Sequence, residues 1–195
     1  MRGRDCTMEK SAKYVEVVPA TTKRWDLLCD LFTGCPGIDG CWCMWPLREP
    51  LTHRPDPNGN RKAMKALVNA GEIPGLLALI GERAVGWYAV GPRDRYPQYK
   101  REHDQAHAWA IPCIYVDPAA DRSLVGRALI TAALELAEGS GAASLDGPPP
   151  WWSPGDPDAA TKMFQDNGFK LIGTGARMAE LRRVLHGPAG YDASP

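Results

Sequence analysis

One stretch constrains the fold more than any other: a strand-like run that turns into a helix-like run between Trp109 and Glu138. Trp109-Ala110-Ile111-Pro112-Cys113-Ile114-Tyr115-Val116 is apolar and rich in β-branched and aromatic residues, which reads as a strand. Asp117-Pro118-Ala119-Ala120-Asp121 supplies a tight turn. From Arg122 onward, Val125, Leu129, Ala132 and Leu136 recur at helical spacing, and Gly139 or Gly141 ends the run. A strand feeding a helix through a short turn gathers unpaired backbone N–H groups at one point, a usual way of holding a phosphate. Pro112 in mid-strand is tolerated at a β-bulge, and bulges often sit beside sites.

The remaining elements follow the same rules. Lys13–Val18 reads as a strand ended by Pro19, and Thr21 or Thr22 as the cap of a helix carrying Trp25, Leu28, Leu31 and Phe32. Cys35–Asn60 reads as irregular, and Arg61–Asn69 as a helix closed by Asn69-Ala70-Gly71. Gly75–Ile80, a turn at Gly81-Glu82-Arg83, and Ala84–Val90 form a hairpin. Pro92–Gln105 is polar and reads as a surface loop. Ala142–Asp146 is a strand, Asp158–Asn167 a helix stopped by Gly168, and Lys170–Gly173 and Arg177–Val184 two closing strands. This order implies an α/β chain of α+β type around a mostly antiparallel sheet.

At 195 residues a single domain is expected, spanning 1–195, with 1–12 and 187–195 as mobile tails. Lys plus Arg and Asp plus Glu both number 23, so the chain lacks the basic excess of a nucleic-acid binder. No apolar run reaches membrane-spanning length and the N-terminus lacks a signal-peptide core, so the chain reads as soluble and cytoplasmic. The six cysteines do not make a secreted disulfide framework at this length. Cys35, Cys41, Cys43 and His53 lack the short knuckle spacing of a zinc site, so no metal is expected and thiol packing is the better account.

Several separate pieces resemble the GNAT (GCN5-related N-acetyltransferase) superfamily. They are Tyr115-Val116-Asp117-Pro118 with Val125-Gly126-Arg127-Ala128-Leu129-Ile130; Pro74-Gly75-Leu76-Leu77-Ala78 with Val85-Gly86-Trp87-Tyr88-Ala89-Val90 and Pro92-Arg93; and Met163-Phe164 with Asn167-Gly168-Phe169. The loop Gly40-Cys41-Trp42-Cys43-Met44-Trp45 resembles one bacterial subgroup. The likeness covers roughly residues 13–184 and implies a splayed, mostly antiparallel central sheet flanked by helices. It also implies acetyl-CoA as cofactor. The arm would lie along Ile114, Tyr115 and Val116, and the pyrophosphate would meet the amides of Arg122, Ser123, Leu124, Val125, Gly126, Arg127 and Ala128.

The family's turn is usually Arg/Gln-x-x-Gly-x-Gly/Ala. Here it reads Asp121-Arg122-Ser123-Leu124-Val125-Gly126, so the last glycine matches while Asp121 and Leu124 depart. A carboxylate about 6 Å from a phosphate charge costs roughly 0.7–3 kcal/mol, or roughly 3- to 150-fold in affinity. Arg122 or Arg127 could offset part of this. Alternatively Asp121 caps the helix and takes the amides a phosphate would use.

Acyl transfer needs a base for the acceptor amine and an acid for the leaving thiolate. Asp146 stands where the resemblance implies a base, or it is a turn residue before Gly147-Pro148. The family's usual acid tyrosine is missing from Asp158–Gly168; Tyr88 is a stand-in or a half-buried sheet residue. Cys113 could serve as a nucleophile or lie buried and inert. Trp42, Trp45, Trp151 and Trp152 could line a pocket for a small-molecule acceptor or plug the sheet ends. His103 and His107 are solvated or near the acceptor channel. Two functions stay open: an N-acetyltransferase acting on a small-molecule amine in resistance or specialised metabolism, and a GNAT-like protein that has abandoned CoA and uses a Trp-lined pocket. No nucleic-acid or membrane partner is expected, and a homodimer is open.

Overall fold

Strands whose side chains are apolar at every position must be covered on both faces, and the central hairpin meets that condition. β2 (Gly75–Ile80) and β3 (Arg83–Pro92) are buried along almost their whole length. Their turn holds Gly81 at φ +59°, a left-handed conformation that glycine adopts without a Cβ clash. Along β3, Trp87 and Ala89 enter one core while Tyr88 and Val90 enter the other, as the two-residue period of a strand requires.

The computed structural model describes residues 14–33, 40–48, 56–97, 107–148, 157–172 and 180–185. Within them lie β1 (Glu16–Pro19), β4 (Ala108–Val116), β5 (Ser144–Asp146), β6 (Lys170–Ile172) and β7 (Glu180–Val184). They form a seven-stranded sheet with β2 and β3, in the order β1-β2-β3-β4-β5-β7-β6. Every neighbouring pair is antiparallel except β4 and β5.

One face packs on α1 (Trp25–Thr33) and α2 (Pro57–Asn69), through Trp25, Phe32, Met64 and Val68. The other packs on α3 (Arg122–Gly139) and α4 (Pro157–Asp166), through Leu129, Ile130, Ala133 and Phe164. α3 sits directly on β3 because Gly86 has no side chain: a Cβ there would meet Val125 Cγ1 at 2.7 Å and Leu129 Cδ1 at 3.0 Å.

Several expectations need correction. α2 begins at Pro57, four residues before the expected start at Arg61, because Asp56 caps it by accepting the amide of Gly59 at 3.0 Å and Pro57 suits the first turn. Thr21 gives no side-chain cap; a short 3-10 turn, Thr22–Arg24, precedes α1 instead. The supposed surface loop after Pro92 starts with a 3-10 turn, Arg93–Arg95, in which Arg93 is buried, and Tyr96 beyond it is buried too. The tails at 1–12 and 187–195 lie outside the described residues.

Two features of β4 shape the site. Gly91 pairs with Ala110 and Ala89 with Cys113, so Ile111 and Pro112 oppose Val90 alone. That is a β-bulge, and it accommodates the missing N–H of Pro112. The parallel ladder with β5 ends at Ala110↔Asp146, yet β4 runs on to Val116. Among the described residues the two strands therefore part company after Ala110, and no strand pairs with the second half of β4 on that side, termed the opening.

Candidate functional site

The opening ends at a turn that the chain fixes tightly. Asp117 is buried, donates its amide to Val85 O at 2.8 Å and accepts the Ala119 amide on Oδ1 at 2.9 Å. Its Oδ2 pairs with Arg83, and the Ala120 amide bonds back to Asp117 O at 2.9 Å. The Asp117–Val85 bond also sets the polarity of β4. Antiparallel neighbours alternate between bonded and non-bonded pairs. Cys113 and Tyr115 therefore turn their N–H and C=O groups toward β3, and Ile114 and Val116 turn theirs toward the opening. Of the three expected arm-binding positions, Ile114 and Val116 offer backbone there and Tyr115 does not.

The helix start is already engaged. Asp121 is the cap of α3, and its Oδ1 accepts the amides of Ser123 and Leu124, both at 3.0 Å. The Val125 amide bonds Asp121 O at 2.9 Å. A carboxylate thus fills the place where a helix N-terminus would hold an external anion. Leu124 and Ala128 are half-buried, Arg122, Ser123 and Arg127 exposed, and Val125 and Gly126 buried. Gly126 answers to packing: a Cβ there would lie 2.6 Å from Met163 Sδ and 3.6 Å from the Tyr88 hydroxyl. The residues present suit a neutral, amide-bearing arm along β4. They do not suit a diphosphate at Ser123 and Leu124 while Asp121 is seated.

Solved structures share this architecture. An N-acetyltransferase from Staphylococcus aureus Mu50 matches with a TM-score of 0.58 at 15% identity, over 88% of this chain and 99% of its own. An acetyltransferase of the GNAT family from Streptococcus pneumoniae matches at 0.56 and 16% identity, over 89% and 100%. The Salmonella typhimurium protein yncA, solved with its cofactor acetyl-CoA, matches at 0.58 and 14% identity, over 92% and 99%. The fold is that of the GNAT superfamily. No protein-family model matches the sequence, and no curated protein matches it.

Within this GNAT fold, Asp146 stands at the apex of the opening, opposite Ala110 and Arg182. It is 2% exposed and gripped from two sides. Arg93 Nη1 lies 2.7 Å from its Oδ2, while Arg182 donates from Nε to Oδ1 at 2.6 Å and from Nη2 to Oδ2 at 2.9 Å. Both oxygens face guanidinium donors, so the carboxylate ties β5 to β7 and to the turn after β3. Three donors meet a carboxylate that has about four lone-pair sites, so the ion cluster gives Asp146 a structural role beside the base role that the resemblance implies. Neither arginine carried a local sequence signal, since both are distant in the chain from Asp146.

Tyr88 stacks on Phe164, with ring centroids 6.3 Å apart and planes 14° from parallel, and its hydroxyl lies beneath the first turns of α3. Burial pushes its phenol well above the ordinary range. It keeps its proton and is a reluctant acid. Cys113 points into the α1–α2 core beside Cys43, whose thiol is pushed well up by burial and next by hydrogen bonding with Cys113. That dry pairing favours the inert account over a nucleophile.

The tryptophans divide. Trp42 is fully buried, stacked on Phe32 at 5.2 Å and Trp25 at 5.8 Å, with the Arg61 guanidinium 5.8 Å above it. It is core, not pocket wall, because the Gly40–Met44 turn folds back on α1 with Trp42 at φ +50° and Cys43 at φ +46°. Trp45 is half-buried and opens a short 3-10 turn, Trp45–Leu47. Trp151, Trp152, His103, His53 and Cys35 lie outside the described residues, and His107 is exposed. Among the described residues, no His, Cys, Asp or Glu cluster could hold a metal, and no helix is long and apolar enough to cross a membrane.

Proposed function

We propose that this chain is an acyltransferase that moves an acyl group from a pantetheine thioester to the amine of a small molecule. One observation carries the reading: β4 outruns its ladder with β5 by six residues, and strand alternation turns the backbone groups of Ile114 and Val116 to the side that β5 leaves. Two positions on the same strand edge lie about 7 Å apart, a spacing that serves successive amides of an extended arm. In the reaction the amine nitrogen bonds the acyl carbon as the C–S bond breaks, and the amine proton ends on the released thiol. Small amines of resistance or specialised metabolism are the acceptors to try first.

The chain's own groups set the terms of that chemistry. Asp146 holds the apex of the opening rigid through Arg93 and Arg182. Tyr88 stays protonated near α3 and can stabilise developing negative charge by hydrogen bonding more readily than it can give up its proton. Acceptor deprotonation falls to Asp146, directly or through water, or to solvent.

The seated Asp121 carboxylate favours a second reading, a GNAT-fold protein that binds or transforms a small molecule without CoA. Function lives in the site and not in the fold, so turnover decides. Incubation with acetyl-CoA and with S-acetyl-pantetheine, each against a panel of small amines, is read by mass spectrometry for N-acetylated product. Product above the enzyme-free rate with at least one pair is expected. No product from either donor supports the second reading.

A further inference from the structure

We propose that the donor taken by this site is a pantetheine thioester without a diphosphate, and that Asp121 is the residue that selects it. The inference rests on the acyltransferase reading and concerns the two ends of the same opening.

At one end, Ile114 and Val116 turn backbone donors and acceptors toward the opening, and neutral amides are the chemistry that would satisfy them. At the other end, the anion position is filled from within. Asp121 Oδ1 holds the amides of Ser123 and Leu124, and Asp121 O holds that of Val125. A diphosphate seated on those amides must first displace a carboxylate bound by two hydrogen bonds, then lie beside that like charge. Leu124 adds a side chain where close approach to backbone would be needed.

Gly126, the matching glycine of the turn, is no evidence for a phosphate, since Met163 occupies the space it leaves. Arg122 and Arg127 are exposed on the first turns and are the groups through which a diphosphate could still be attracted. That attraction would be screened by salt, and the screening exposes it. A neutral arm carries no such dependence.

Pantetheine arms come free as small thioesters or mounted through a single phosphodiester on a carrier protein. Both lack the diphosphate, and both share the chemistry the opening recognises.

The test is calorimetric titration of the full chain with pantetheine, phosphopantetheine and CoA, at low and high salt. The wild-type protein is expected to bind all three with affinity flat or falling along that series, and with little salt dependence. Asp121→Gly frees the two amides at small cost to the helix and should raise CoA affinity by about tenfold or more while leaving pantetheine unchanged. Asp121→Asn keeps the cap, removes the charge, and should gain less.

CoA binding the wild type more than about tenfold tighter than pantetheine, with affinity lost in salt, overturns the proposal and leaves the acyltransferase reading standing. Absence of binding by any of the three overturns both. A phosphopantetheinylated carrier protein, titrated alongside, separates the sources: tighter binding than free pantetheine assigns the arm to a carrier, and equal binding assigns it to a small thioester.

Discussion

Asp121 accepts the amide hydrogen of Leu124 at 3.0 Å, with the carboxylate oxygen that also takes Ser123. α3 therefore caps itself. Removing a cap of this kind costs about 1 kcal/mol. Asp121→Ala should lower the melting temperature by about 2–4 °C for a chain of this size, while Asp121→Asn should lie close to wild type. An unchanged melting temperature in Asp121→Ala would show that the cap contributes nothing.

Asp146 is held between Arg93 and Arg182, and all three lie on strands or turns that meet at the apex of the opening. Taking away a buried carboxylate removes the counter-charge it supplies to its partners, at about 3–5 kcal/mol. Asp146→Asn should lose stability on that scale in urea titration, whereas Arg182→Ala, the more exposed partner, should lose less. A variant at Asp146 that keeps its urea midpoint while losing turnover would assign it the base role instead.

Tyr88 and Tyr96 are both raised from the ordinary phenol value of 10, in each case chiefly by burial. The folded chain therefore keeps these protons where the unfolded chain releases them. Their contribution is complete below about pH 10 and declines as pH rises further, by at most about 1.4 kcal/mol per pH unit for each phenol. Denaturation midpoints measured from neutral to alkaline pH should fall above about pH 10. Tyr88→Phe should make that fall shallower, and an identical slope would contradict the burial account.

Gly86 lies where α3 presses on β3. Gly86→Ala would drive a methyl to 2.7 Å from Val125 Cγ1, 3.0 Å from Leu129 Cδ1 and 3.3 Å from Ala78 Cβ. These neighbours are short, packed side chains with little room to yield, so a loss of about 1–3 kcal/mol is expected. A thermal melt within error of wild type would mean that α3 can lift from the sheet.

Elements with strong periodicity were legible in the residues. The central hairpin, β4 with its bulge at Pro112, and the strand–turn–helix that frames the opening follow from apolar pattern, glycine and proline. What local pattern could not show is long-range pairing. Arg93 sits in a polar stretch that looks solvated, and only Asp146 on another strand explains its burial. Trp42 lies in a loop rich in glycine and cysteine, and only the fold-back of that loop on α1 makes it core. The start of α2 at Asp56-Pro57 is masked in the sequence by the surrounding prolines, which suggest an irregular segment, and the Asp56 cap settles it. Asp121 allowed two readings from sequence, and its hydrogen bonds choose the cap.

The central claim is that the second half of β4 receives an extended, amide-bearing arm. Amide NMR of the labelled protein titrated with S-acetyl-pantetheine tests it most directly. The account predicts shifts and slowed hydrogen exchange at Ile114 and Val116, with Cys113 and Tyr115 little changed because their amides already face β3. Binding that leaves Ile114 and Val116 unmoved and perturbs only residues elsewhere would contradict it.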